Sequence, residues 1–71
     1  MAKRKILELE HTTARGTRHV VKVYRDPDYN EFIVKQWNGD ALNDSEYFTS
    51  DKADALGTAQ YIIDRIKRQF A

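Results

Sequence analysis

The sequence predicts an α+β fold: a three- to four-stranded antiparallel meander with one C-terminal amphipathic helix packed on one face. Three observations carry this expectation. The first half alternates apolar and polar residues in short β-branched runs bounded by turn signals. The last third places apolar residues at helical spacing without interruption. Strands come first and a single helix last, which leaves a two-layer sandwich as the simplest packing.

Taken in order, residues 5–11 alternate and the polar stretch 12–17 reads as a turn. Residues 18–24, with Val20, Val21 and Val23, form a second strand. Arg25-Asp26-Pro27-Asp28-Tyr29-Asn30 is a turn signal, with Pro preset for its second position and Asx residues around it. A third strand spans 31–37, and Asn38-Gly39 is the favoured pair for a two-residue type I′ hairpin turn. Residues 40–49 are ambiguous beyond a short fourth strand at 46–49. Ser50 or Thr49 is then a candidate N-cap, with Asp51 and Asp54 near the positive helix end. Apolar residues follow at 55, 56, 59, 62, 63, 66 and 70, one stripe of a helix about 20 residues long.

Seventy-one residues and 8.3 kDa make one small domain, 1–71, with 1–4 expected as a basic arm. Surface scaling buries only about 60% of such a chain, so a partner chain or metal commonly supplements the core. With no cysteine, disulfides and thiolate metal sites are excluded, as suits a reducing cytosol. A mean hydropathy of −0.75 and the lack of a long apolar run exclude a membrane span. The basic start is followed by Ile6-Leu7-Glu8-Leu9-Glu10, whose acids break any export signal, so a cytoplasmic location is expected. A 41% hydrophobic and 11% aromatic content argues against disorder.

Charge is dipolar along the chain. Residues 1–25 carry seven Lys/Arg against Glu8 and Glu10, a net +5. Residues 26–54 carry eight acids against Lys35 and Lys52, a net −6. Such a chain can steer an oriented partner, but it lacks the one-signed field of a dedicated polyanion binder.

Closing the second hairpin on an Arg25/Asn30 pair would set Val23 against Phe32 and Val21 against Val34, all facing the helix. The same geometry sends Val20, Tyr24, Ile33 and Trp37 to the opposite face, with Arg18, Lys22, Glu31 and Lys35 between them. Placing Leu7 and Leu9 inward turns Ile6, Glu8 and Glu10 outward and sets Glu8 opposite Lys22. One helix covers one face. The other, carrying Ile6, Val20, Tyr24, Ile33 and Trp37, is therefore the expected protein interface, occupied by a second copy or by another protein. Cross-strand packing of an exposed face without any partner is the competing reading.

No catalytic constellation can be assembled from three glycines, two histidines and no cysteine, so the chain is expected not to be an enzyme. His11 and His19 read as structural, and no metal, cofactor or small-molecule substrate is inferred. Asp26-Pro27-Asp28-Tyr29-Asn30 opens like a calcium loop, but Glu31 replaces its glycine and Trp37 its bidentate acid. Asn43-Asp44-Ser45 fits a glycosylation sequon that is meaningless without export. The alternative function is single-stranded nucleic-acid binding. Lys3, Arg4, Lys5, Arg18, Lys22 and Lys35, with Arg15 and Arg25, would track phosphates while Tyr24 and Trp37 stack bases. Gly57 inside the helix is expected to lie under Tyr61, its i+4 neighbour, or beside a close-approaching backbone.

The segment Tyr47-Phe48-Thr49-Ser50-Asp51-Lys52-Ala53-Asp54-Ala55-Leu56-Gly57-Thr58-Ala59, following Val23-Tyr24-Arg25-Asp26-Pro27, resembles small, mostly uncharacterised sheet-plus-helix proteins of bacteriophages and prophages. That resemblance implies an accessory factor acting in the host cytoplasm, with a host protein as partner. The element order also resembles that of single-stranded-DNA-binding transcription cofactors, a fold-level analogy.

Overall fold

The computed structural model describes residues 3–39, 41–42 and 46–69. Its elements are β1 (Arg4–Thr12), β2 (Arg18–Asp26), β3 (Glu31–Asn38), β4 (Ala41–Leu42), β5 (Tyr47–Thr49) and α1 (Lys52–Gln69). The strands form one antiparallel sheet in the order β1-β2-β3, and β4 and β5 both pair with the far edge of β3. The helix packs across one face against β1, β2, β3 and β5. This is the α+β meander that the alternation and the helical stripe predict, with the two-residue β4 as an addition. β1 opens at Arg4, inside the segment expected as a basic arm.

Each turn has a local cause. Between β1 and β2, Thr13 N donates to Thr17 O and Gly16 N donates to Thr13 O, both at 2.9 Å. Gly16 there adopts a φ of 88°, which a side chain would oppose. Between β2 and β3 the strands close on Asp26 and Glu31, two residues beyond the expected Arg25/Asn30 pair. The Asp26 carboxylate accepts the Asp28 amide at 3.0 Å, an Asx turn that keeps Asp26 within the strand. Asn30 takes a φ of 51°, a conformation asparagine tolerates well. Val23 therefore pairs with Val34, and Val21 with Gln36. A slip of two preserves the alternation, so every β2 and β3 side chain keeps its expected face. The β3–β4 hairpin closes on Asn38 and Ala41, one residue later than an Asn38-Gly39 turn requires.

β1 holds the expected register, with Leu7 opposite Val23, Glu8 opposite Lys22 and Leu9 opposite Val21. It departs at Ile6, where a bulge between Lys5 and Leu7 shifts the alternation.

The core joins Val21, Val23, Phe32 and Val34 of the sheet to Ala55, Ala59, Ile63 and Ile66 of the helix. Alanine at 55 and 59 lets α1 approach the sheet closely, while Ile63 fills the layer at 1% exposure. Leu56 and Ile62 flank this stripe, partly buried; Phe70 lies outside the described residues. The N-cap is Asp51, not Ser50 or Thr49: its Oδ1 accepts the Ala53 amide at 2.9 Å. Thr49 instead uses its hydroxyl to accept the Asp51 amide at 3.2 Å.

Candidate binding face

The face opposite the helix is built from β1, β2, β3 and β5, whose alternate side chains point the same way. Across β2 and β3, Val20 pairs with Trp37, Lys22 with Lys35 and Tyr24 with Ile33. β5 then sets Phe48 opposite Ile33. Glu8, Glu10 and Lys5 of β1 complete the far side, opposite Lys22, Val20 and Tyr24. Among the described residues no helix or strand covers this face.

Its apolar residues are nevertheless not all open to solvent. Ile33 is 1% exposed and Val20 6%, as deeply buried as the residues under the helix. Their cover is their neighbours. Lys22 Nζ lies 4.8 Å from the Trp37 ring centroid, and Lys35 Nζ lies 5.6 Å from that of Tyr24. Both lysines lay apolar stems along the sheet and hold their charges over aromatic faces. Trp37 and Tyr24 are half-buried as a result.

Ile6 does not join them. The bulge turns it toward the helix side, where it packs, partly buried, against the main core. Its expected place on the outer face assumed unbroken alternation through β1, which one extra residue defeats. Phe48 takes its place at 54% exposure, on the short strand expected at 46–49, whose partner β3 only the structure gives. The alternation of Tyr47-Phe48-Thr49 was the available signal.

The cations expected to track phosphates divide between faces. Lys5, Arg18, Lys22 and Lys35 share the outer face, whereas Arg4 pairs with Arg25 on the helix-facing row, and Lys3 precedes β1. Three of the outer four are bound to acids. Lys5 Nζ donates to Glu8 at 2.8 Å, Lys22 Nζ lies 3.9 Å from the same carboxylate, and Arg18 Nε donates to Glu10 at 2.7 Å. The hydrogen bond from Lys5, with the charges of Lys5 and Lys22, holds the Glu8 carboxyl below its ordinary range and outweighs desolvation. The same bond raises the Lys5 ammonium. Lys35 has no carboxylate within ion-pair distance among the described residues. A shallow depression of about 200 Å³ lies at one end, lined by Arg18, Val20, Lys22, Trp37 and Gly39.

The histidines face the core side, directly opposite one another at 11 and 19. His19 is buried and its Nδ1 shares a hydrogen at 2.9 Å with Asn38 Oδ1, which also accepts from Gln36 Nε2 at 3.1 Å. Among the described residues no group of three or more His, Cys, Asp or Glu is placed to hold a metal ion. The calcium-like segment is the Asx turn described above, and the 43–45 sequon lies outside the described residues. No described helix is long and apolar enough to cross a membrane. Comparison with known protein families, curated proteins and solved structures yields no match to this chain.

Proposed function

We propose that the chain is a non-enzymatic binding module whose outer sheet face docks an acidic, partly apolar surface of another protein. The supporting observation is the centre of that face. Lys22 and Lys35 stand directly opposite each other, a pairing that disfavours the isolated sheet. Tyr24, Trp37 and Phe48 flank them, so a carboxylate set among apolar groups would relieve the repulsion and bury the rings. A second copy docked centrally on this face would bring a second lysine pair against the first, which favours a heterologous partner. The resemblance of residues 47–59 to phage-encoded proteins makes a host protein the natural candidate.

Single-stranded nucleic acid is the second reading, favoured by the depression between Arg18, Lys22 and Trp37. Glu8 and Glu10 weigh against it, because they occupy three of the four outer-face cations.

Capture of a partner by the intact chain tests the first reading. Phe48→Lys, at an exposed site that leaves the core intact, should abolish capture, and so should Trp37→Lys. Lys3→Ala with Arg4→Ala should leave it unchanged. Salt-dependent binding of an oligothymidylate, weakened by Lys22→Ala and Lys35→Ala but not by Phe48→Lys, would replace the protein reading with the nucleic-acid one.

A further inference from the structure

The two edges of the sheet are unlike. The far edge of β3 is occupied in turn by β4 and β5, but among the described residues β1 is bonded to β2 alone, which leaves the other side of its nine-residue backbone open. Such an edge is a template for strand addition. A second observation concerns burial. The β2 and β3 residues of the main core are 0–6% exposed, whereas Ile6, Leu7 and Leu9 of β1 are only partly covered. The core is open on the β1 side.

The third observation is charge order. Because of the bulge, Lys5 stands opposite Tyr24 and Glu8 opposite Lys22, so Lys5, Glu8 and Glu10 occupy successive outer positions of β1. Extending the alternation one step back places Lys3 on the same row. The row therefore reads basic, basic, acidic, acidic. An antiparallel copy of this strand, with the bulged Ile6-Leu7 of each copy taken as one position on the two-fold axis, sets Lys5 opposite Glu8 of the second copy and Lys3 opposite Glu10 of the second copy. Symmetry repeats both pairs, giving four favourable contacts on one face and a Leu7–Leu7 contact on the other. Shifting the register by one further pair puts Glu8 against its own copy, so the charges select the first arrangement.

We propose that a second copy of this chain adds across the free edge of β1 in that register, giving a continuous sheet with both helices on one side. The outer face stays open for its own partner, and the two readings stand or fall separately.

Sedimentation of the intact chain from micromolar to millimolar concentration tests this. The wild type should dimerise. Lys3→Glu with Lys5→Glu should weaken the dimer by about tenfold or more, as should Glu8→Lys with Glu10→Lys. Mixing the two variants should restore a 1:1 heterodimer, whereas Trp37→Lys should leave the dimer intact. A wild type that stays monomeric throughout would overturn the proposal, showing the bulge and lysines to be edge guards. A dimer indifferent to both charge swaps would overturn it as well. Glu8 and Glu10 also bind Lys22 and Arg18, so the second variant is checked for folding by circular dichroism. Should it unfold, wild-type amide exchange decides. Outward-facing β1 amides should slow as concentration rises, and unchanged rates would sink the edge pairing.

Discussion

Among the described residues, Tyr47 and Asp54 form the shortest side-chain hydrogen bond between sheet and helix. The phenol donates to the Asp54 carboxylate at 2.6 Å, and losing the proton would set two negative charges together. That bond, more than desolvation or the charge of Asp54, raises the Tyr47 phenol above its ordinary range. A raised folded-state value means the contribution is complete below the unfolded phenol pKa and lost as pH climbs through the folded one. The Tyr47 phenolate absorbance should therefore rise at higher pH in the wild type than in Asp54→Ala, where the phenol should move toward its ordinary range. Glu8 works in the opposite sense. Its carboxyl is lowered mainly by the Lys5 hydrogen bond, so its contribution is present above the unfolded carboxylate range and fades as pH falls through the folded value. Nuclear magnetic resonance titration of Glu8 should move toward the ordinary range in Lys5→Ala. Removing the helix cap with Asp51→Ala should cost about 0.5–2 kcal/mol in denaturant unfolding.

The helix carries two substitutions of opposite sign. A β-carbon at Gly57 would meet nothing within 4 Å, so neither Tyr61 nor another backbone of the described residues lies over it. Tyr61 is instead 60% exposed. Gly57→Ala should stabilise the isolated chain by about 1 kcal/mol, or roughly 4–8 °C in Tm for a domain of this size. Ile63→Ala, at the centre of the core, should cost about 2–5 kcal/mol, a large share of what a small domain possesses. The helix was readable because its stripe is seven apolar positions long and its period leaves no second solution. The N-cap was not, since Thr49, Ser50 and Asp51 all favour capping and only the geometry shows which oxygen reaches the Ala53 amide. Turn closure was harder still. Sequence places a turn at residues 26–30, but the Asx bond of Asp26 decides where pairing resumes, and the Arg25/Asn30 closure missed it by two residues.

At the scale of the whole chain, the sheet has two faces stabilised by different means. One is covered by a helix, the other by its own lysine stems and aromatic rings. Alternation made the membership of both faces readable at Val20, Tyr24, Ile33 and Trp37, because a two-residue slip does not exchange them. It failed at Ile6, since nothing in residues 4–8 announces an extra residue. It also missed Phe48, because the short strand expected at 46–49 carries no signal of its partner, and only pairing with β3 sets Phe48 beside Ile33.

That extra residue carries a consequence of its own. Removing position 6 altogether would leave Lys5 followed by Leu7 and every β1 partner unchanged, so a one-codon loss there would shorten the strand without scrambling it. The shortened protein would forfeit the packing of one isoleucine yet gain a straighter, flatter border. Precipitation or fibre growth by that deletant, where the parent stops at a pair, would show the kink to be what confines contact along this border to a single alignment.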